Sequence, residues 1–145
     1  MIVLDVNLLI YAYDTTCKDH RKALKWIKEV FSGDETIGLP WQTISAFLRI
    51  LTYPETFGER VTMDQAIAIV DDWLAFSHVR TLPQGEEYWK LFREMLIKGD
   101  VRGKLTSDAA LAALTMEYGG VLYTNDRDFA RFPGLRWVNP LLESS

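Results

Sequence analysis

Short apolar segments alternate along the chain with longer segments in which apolar residues recur every three or four positions. The first kind is typical of strands buried in a parallel sheet, and the second is typical of helices with one apolar face. Strands are predicted over residues 2–4, 36–39, 79–82, 121–123 and 136–138. Helices are predicted over residues 8–13, 20–31, 41–51, 62–76, 86–98 and 106–118. Because strands and helices alternate, we expect an α/β fold of three layers, α/β/α, with a central and mostly parallel five-stranded sheet.

Local sequence signals predict where two of the helices begin and where one of them ends. Thr62 and Gln65 have the spacing of a capping box, so a helix is expected to begin after Thr62. Thr106 is predicted to cap the last long helix, and the pair Gly119-Gly120 is predicted to stop it.

Length and composition indicate a single domain over residues 1–145. The chain is 48% hydrophobic and 25% charged, which is ordinary for a globular protein able to bury a core. No apolar run is long enough to span a bilayer, and Asp5 interrupts the first apolar stretch with no basic segment before it. We therefore expect neither a membrane segment nor a signal peptide. The single cysteine, Cys17, excludes an internal disulfide and fits the reducing cytoplasm.

The chain is acidic, with a formal net charge of -4 at pH 7. That balance argues against a protein that binds nucleic acid broadly and without specificity. It does not exclude a nuclease, because metal-binding carboxylates contribute negative charge that a bound cation offsets.

Four aspartates are predicted to converge at one edge of the sheet. Asp5 ends the first strand, and Asp126 follows the fourth. Asp108 lies in the first turn of the helix before the fourth strand, where a helix N-terminus favours a carboxylate, and Asp128 comes two residues after Asp126. Ligands of open α/β sheets bind beyond the carboxyl ends of the strands, where the strand order reverses. If the first and fourth strands are neighbours, these acids crowd one cleft.

Crowded carboxylates indicate a bound cation. They repel one another, so one or more holds a proton unless a cation neutralises them. Oxygen ligands without His or Cys partners select hard ions such as Mg²⁺ or Mn²⁺, which favour phosphodiester hydrolysis. Singly, Asp108 also fits a helix-start charge, and Asp126 and Asp128 fit turn residues. Asp5 is harder to explain in that way, because a carboxylate at the end of a buried strand costs desolvation unless it is paired.

Three segments carry a family resemblance. They are Ile2-Val3-Leu4-Asp5-Val6-Asn7-Leu8-Leu9-Ile10, Asp108-Ala109-Ala110-Leu111-Ala112-Ala113-Leu114 and Thr124-Asn125-Asp126-Arg127-Asp128-Phe129. Together they resemble the PIN-domain family and, within it, the VapC-type toxins of bacterial toxin–antitoxin pairs, over essentially the whole chain. The resemblance implies a Mg²⁺- or Mn²⁺-dependent endoribonuclease that is homodimeric and is held inactive by a cognate antitoxin. Its substrate would be RNA, with tRNA and rRNA as candidates.

The resemblance also implies roles for individual residues, position by position. It assigns three groups: the catalytic metal ligands Asp5, Asp108 and Asp126; the auxiliary metal ligand Asp128; and the supporting polar residues Asn7 and Thr124.

The chain departs from the family pattern in the helix after the second strand. Family members often carry a Glu there, whereas this helix contains Thr43-Ile44-Ser45-Ala46-Phe47-Leu48-Arg49, and no acid occurs from Leu39 to Tyr53. A branch of VapC-like proteins with a similar Trp…Phe-Leu-Arg helix shares this loss. The missing acid, nearest Ala46, bears on how strongly a metal is bound and on whether a second one is held.

Residues outside the acidic set are candidates for contacts with RNA or with a second subunit. Arg102 and Lys104, just before the helix that carries Asp108, are predicted to bind RNA phosphates, with a solvated loop as the alternative. Tyr53 and Phe57 are candidates for stacking on RNA bases, and the five tryptophans are expected mainly in the core or at an interface. The helices at 62–76 and 86–98 carry more apolar residues than one core-facing side needs, which predicts a two-fold dimer contact.

Other functions remain open from the sequence alone. One is a PIN nuclease in RNA processing, or acting on structured DNA, outside any toxin system. Another is a catalytically weakened module that binds RNA or an antitoxin, which the missing Glu favours. A phosphatase with an aspartyl nucleophile is disfavoured, because Asp5-Val6-Asn7 lacks the second Asp of the usual Asp-x-Asp arrangement.

Overall fold

A computed structural model of the chain describes residues 1–53 and 61–142, so the predicted stacking residue Phe57 lies outside the described residues. The strands are β1 (Ile2–Leu4), β2 (Ile37–Leu39), β3 (Val79–Thr81), β4 (Val121–Tyr123) and β5 (Trp137–Val138). The helices are α1 (Val6–Tyr13), α2 (His20–Ser32), α3 (Trp41–Leu51), α4 (Met63–Ala75), α5 (Tyr88–Lys98) and α6 (Leu105–Glu117), with a 3₁₀ helix at Arg127–Arg131. Among the described residues, no helix combines the length and the apolar character that a bilayer span requires.

The five strands form one sheet in the order β3-β2-β1-β4-β5. Every pair of neighbouring strands runs parallel, and β1 lies at the centre, with Ile2 paired to Ile37 on one side and to Val121 on the other. The predicted α/β fold with a five-stranded central sheet is confirmed, and the sheet is wholly parallel.

Helices cover both faces of the sheet, which explains why the central strand β1 is wholly apolar. On one face, Ile2 and Leu4 of β1 pack with residues of α1 to α4, including the fully buried Phe47. On the other face, Val3 packs with residues of α5 and α6, including Met95 and Leu114. Successive β1 side chains thus enter opposite cores, as the alternation of a strand requires.

The capping predictions for two helices have different outcomes. Thr62 forms the expected capping box with Gln65, in which each side chain accepts the other residue's backbone N–H, at 3.1 and 2.9 Å. Thr106 does not cap α6, which begins one residue earlier. Thr106 therefore lies inside the first turn of α6, and its own N–H donates to Gly103 O at 3.0 Å.

The chain order places the point of strand reversal between β1 and β4. From β1 the chain builds outward through β2 to β3, then crosses to the other side of β1 for β4 and β5. The first residues of α1 and α6 therefore lie at this edge, because α1 leaves the carboxyl end of β1 and α6 runs back to the start of β4. Ligand sites of parallel sheets form at such a point.

Candidate active site

The carboxyl ends of β1 and β4 lie side by side. Leu4 pairs with Tyr123, and Asp5 N donates to Tyr123 O at 3.1 Å. Asp5 leaves the sheet as the N-cap of α1, with its Oδ1 accepting a hydrogen bond from Val6 N at 2.7 Å. The carboxylate thus sits at the start of a helix, where the unpaired N–H groups and the helix dipole favour negative charge.

The Thr124 hydroxyl connects the ends of the two strands. Its Oγ1 is buried and donates to Asp5 Oδ2 at 2.7 Å. It accepts from Asn7 Nδ2 at 3.1 Å and from Asp126 N at 3.0 Å, so its one donor and both acceptor positions are used. This geometry suits the supporting role predicted for Asn7 and Thr124.

A chain of amides extends this network toward the C-terminus. Asn7 Oδ1 accepts from Asn125 N at 3.3 Å, and Asn125 Nδ2 donates to the Tyr11 hydroxyl at 3.4 Å. Asn139 Nδ2 donates to Asn125 Oδ1 at 2.8 Å. These residues fix the turn that follows β4, and the sequence interpretation did not single out Asn125 or Asn139.

Asp108, Asp126 and Asp128 form a compact group of carboxylates. One oxygen from each lies within 4.8 Å of the other two. Asp126 Oδ1 accepts from Asp128 N at 2.9 Å, which starts the 3₁₀ helix, while Asp108 comes from the first turn of α6. Among the described residues this group does not include Asp5, whose two oxygens accept hydrogen bonds from Val6 and Thr124.

The carboxylates nevertheless act on one another electrostatically. Burial, together with the charges of Asp126, Asp5 and Asp128, raises the pKa of Asp108 to about 6, and Arg131 opposes the rise. Burial also raises the pKa of Asp5, with a further contribution from Asp126, against hydrogen bonds that lower it. The predicted crowding of acids is therefore present, and it disfavours the full set of negative charges unless a cation joins them.

A cleft of about 370 Å³ opens between α3 and α6 beside these acids. We call it the α3–α6 cleft. Its lining includes Asp5, Gln42, Ser45, Ala46, Arg49 and Asp108. Gln42 Nε2 donates to Ser107 O at 3.1 Å and so joins the beginnings of the two helices. Ala46, the position nearest the missing family Glu, faces the same cleft as Asp5 and Asp108.

The basic and aromatic candidates lie in different places. Arg102 and Lys104 are exposed before α6 and are not among the residues that line the cleft. Tyr53, at the end of the described segment that contains α3, is 54% exposed, and Trp41, the first residue of α3, is 55% exposed. The sequence interpretation noted the segment with Arg49 only for its missing acid. Its spacing, three residues after Ala46, already indicated that Arg49 would lie on the same side of the helix.

Arg131 is a second cation that the sequence interpretation did not identify. Its Nη1 donates to Gly99 O at 3.0 Å, and its charge lowers the pKa of Asp108. Its Nε is buried without a hydrogen-bond partner among the described residues. Arg131 ends the 3₁₀ helix that Asp126 and Asp128 begin, so a few residues supply both acids and their countercharge.

Comparison with known proteins identifies relatives over the full chain. The PIN domain family profile matches residues 2–135. Ribonuclease VapC33 of Mycobacterium tuberculosis is 36% identical over 143 residues, covering 99% of this chain and 100% of that protein. Ribonuclease VapC37 of Mycobacterium tuberculosis is 33% identical over 140 residues, covering 97% of each.

Solved structures share the fold at low sequence identity. The Mycobacterium tuberculosis toxin VapC20, described as cleaving the sarcin-ricin loop, matches with a TM-score of 0.67 and 18% identity, covering 94% of this chain and 99% of that one. VapBC2 from Rickettsia felis, solved with a DNA fragment from its promoter, matches with a TM-score of 0.65 and 18% identity, covering 96% of this chain and 98% of that one.

Proposed function

The chain belongs to the PIN-domain family and, within it, to the VapC ribonucleases, and on that premise we propose that it is a metal-dependent endoribonuclease toxin of a toxin–antitoxin pair. We propose that residues 1–145 form one PIN domain. Phosphodiester hydrolysis follows from oxygen ligands gathered at the strand-reversal point, and RNA as substrate follows from relatives that are named ribonucleases.

The observation that carries the proposal is the group of carboxylates at one end of the sheet. Asp108, Asp126 and Asp128 offer oxygens within 4.8 Å of one another, and Asp5 lies beside them at the end of β1. Four acids from three separate segments would be an unfavourable arrangement if nothing neutralised them. A role as a helix-start charge or a turn residue explains some of these acids one at a time. It does not explain why all four lie together.

The residues present fit a hard divalent cation. Their side chains supply only oxygen, without the His or Cys ligands that softer metals take, and Mg²⁺ or Mn²⁺ is the expected ion. Two oxygens bound to one Mg²⁺ lie at most about 4 Å apart. The three carboxylate oxygens here lie within 4.8 Å of one another, so small side-chain movements would bring them onto one ion. We propose Asp108, Asp126 and Asp128 as residues that would hold the metal, with Asp5 as the buried acid beside them. The bound ion would supply a more acidic water and positive charge next to the scissile phosphate.

The chain's own residues have distinct tasks in this mechanism. Thr124 and Val6 hold the Asp5 carboxylate in one orientation through bonds of 2.7 Å each. Asn7 supports Thr124 from behind, so neither Asp5 nor the backbone at Asp126 needs to rearrange when a ligand enters. Fixed polar groups of this kind lower the cost of assembling a reactive geometry.

The missing acid in α3 fits a modest affinity for metal. In the α3–α6 cleft that position is Ala46, so the cation would keep several waters instead of a further carboxylate. A catalytically weakened RNA- or antitoxin-binding module was the alternative that this gap favoured. The match to ribonucleases over 97% or more of the chain does not favour that alternative.

The partners we propose are a cognate antitoxin, an RNA substrate and a second copy of the chain. Solved neighbours of the same fold include toxin–antitoxin assemblies such as VapBC2, which supports an antitoxin partner. The expected location is the cytoplasm, in agreement with a single free cysteine, Cys17.

RNA cleavage by the purified protein tests the proposal. We expect cleavage with Mg²⁺ or Mn²⁺, its loss on chelation, and its loss in Asp126→Asn while a cooperative thermal melt shows that the variant is folded. Asp64→Asn, at an exposed acid in the first turn of α4, is the matched control and should cleave like wild type. Cleavage that survives chelation, or an active Asp126→Asn variant, contradicts the metal-centred function.

A further inference from the structure

Building on the ribonuclease function proposed above, we propose that α3 is the RNA-binding wall of the α3–α6 cleft. In this arrangement Arg49 binds a backbone phosphate of an unpaired RNA segment, and Trp41 stacks on one of its bases. Arg49 and Ser45 line the cleft that Asp5 and Asp108 close on the other side.

Helical spacing puts the proposed contacts on one face of α3. Trp41, Ser45 and Arg49 are each four residues apart, and residues at this spacing lie above one another along a helix. Two of the three line the cleft, and Trp41 extends the same face at the beginning of the helix, where its side chain is 55% exposed. An exposed tryptophan in line with a polar cleft has the form of a stacking platform for a base.

The carboxylates of the cleft repel RNA, and the positive charge of Arg49 would offset this repulsion. A polyanionic substrate must approach a protein of net charge -4 and a wall that carries carboxylates. A bound metal would offset part of the negative charge of the acids. The RNA phosphates on either side of the cleaved one would still have no positive partner. Arg49 forms no ion pair within the part of the chain that the structure describes, so its guanidinium is available for such a phosphate.

The wall is held rigidly with respect to the acids. Buried Thr43 donates from Oγ1 to Leu4 O at 2.9 Å, which fixes α3 against the end of the strand that positions Asp5. Gln42 joins α3 to α6 through Ser107, and fully buried Phe47 anchors the helix in the core. The backbone of α3 at Arg49 is therefore fixed before RNA binds. Most of the conformational entropy lost on binding would come from the Arg49 side chain.

The proposed substrate is unpaired RNA. A base can stack on Trp41 only if it has left the helix stack, because bases in an A-form duplex are covered on both faces and its deep groove hides their edges. Arg102 and Lys104 lie outside the cleft, so their contacts would fall on phosphates farther from the cut.

Binding of a fluorescein-labelled RNA oligonucleotide of mixed sequence tests the proposal, with its duplex for comparison. Fluorescence anisotropy in EDTA, where RNA would not be cut, gives Kd over a series of salt concentrations. The variants are Arg49→Ala, Arg49→Lys and Trp41→Ala, with Arg21→Ala on the exposed side of α2 as the matched control. Melting temperatures confirm the fold of each.

The two side chains should leave different signatures. We expect Arg49→Ala to weaken single-strand binding about tenfold and to reduce the slope of log K against log salt by about 0.7, the value for one phosphate contact on a single strand. Arg49→Lys should keep the slope. Trp41→Ala should weaken binding about tenfold with the slope unchanged, since stacking releases no counterions. Arg21→Ala should match wild type.

Cleavage assays distinguish the RNA-binding role of α3 from the proposed ribonuclease activity. With Mg²⁺ or Mn²⁺, Arg49→Ala should raise KM for RNA and leave kcat largely intact. If wild type cleaves RNA and Arg49→Ala keeps the wild-type Kd, salt slope and KM, the binding wall is wrong and the ribonuclease stands. If wild type binds single strands as proposed and never cleaves, the function is wrong and the binding wall stands. Equal affinity for duplex and single strand overturns the inference. No binding by wild type in EDTA, together with a KM for RNA that Arg49→Ala leaves unchanged, also overturns it.

Discussion

Replacing Asp108 with Asn is expected to stabilise the metal-free protein at pH 7. Burial and three neighbouring aspartates raise the pKa of Asp108 from its ordinary value of 3.8 to about 6. At pH 7 the folded state must therefore hold a charge that its surroundings disfavour. The asparagine side chain has nearly the same shape and carries no charge, so the substitution removes that cost.

The size of the effect follows from the pKa difference. A rise of about 2 units corresponds to about 3 kcal/mol at full strength. Asp108 is only half-buried, and solvent screening reduces this to about 1 kcal/mol. For a chain of this length, that gain raises Tm by about 2–4 °C.

The dependence on pH identifies the cause. The stabilising contribution of the protonated carboxyl is fully present below the unfolded pKa and is lost as the pH rises through the folded value of about 6. The difference in Tm between Asp108→Asn and wild type should therefore be small near pH 4 and reach its full size by about pH 7. Thermal melts in EDTA over this range measure it.

A matched control and a metal titration complete the assay. Asp64 also lies in the first turn of a helix, α4, but is exposed, and Asp64→Asn should lower stability by a few tenths of a kcal/mol, since its charge favours the helix end. Adding Mg²⁺ should stabilise wild type and have little effect on Asp108→Asn. A variant of Asp108 that melts at or below the wild-type temperature at pH 7 in EDTA would refute the reasoning.

Three further outcomes are expected. Asp5→Asn should keep the fold, lower the affinity for Mg²⁺ and reduce RNA cleavage, with a smaller reduction for Asp128→Asn; wild-type cleavage by Asp5→Asn at every metal concentration contradicts this. Ala46→Glu should lower the Mg²⁺ concentration for half-maximal cleavage, because it adds a carboxylate to the cleft that holds Asp5 and Asp108. Trp89 and Ile97 of α5 are 62% and 63% exposed, so we expect a dimeric mass in solution at micromolar concentration; a monomeric mass contradicts it.

The pattern of apolar residues was sufficient to predict the sheet. The segments at β1 and β4 are wholly apolar because both faces of the sheet are covered, and this requirement is visible in a single sequence. The meeting of Asp5 and Asp126 was predictable for a related reason, since parallel strands end at the same edge. The helical spacing of apolar residues and the cap signals predicted most helix ends to within one or two residues.

What the sequence did not reveal depends on contacts between distant segments. Asp5 is held beside the compact group by its hydrogen bonds to Val6 and Thr124, and Thr124 lies more than a hundred residues away in the sequence. Arg131 is likewise invisible as a partner for Asp108 until α6 and the 3₁₀ helix are placed together. Thr106 shows the local limit, because α6 begins at Leu105 and Thr106 therefore lies inside its first turn, not at the N-cap.

The charge carried by α3 links metal binding to RNA binding. A carboxylate in place of Ala46 would lie three residues before Arg49, and acid–base pairs at this spacing attract each other along a helix. Ala46→Glu should then add a ligand for the metal and at the same time draw the Arg49 guanidinium away from RNA. We expect this variant to need less Mg²⁺ while showing a higher KM for RNA, whereas Arg49→Ala raises KM without changing the Mg²⁺ requirement. Cleavage measured over a grid of Mg²⁺ and RNA concentrations separates the two variants. If Ala46→Glu lowers both the Mg²⁺ requirement and KM, a carboxylate at position 46 does not draw Arg49 away from RNA.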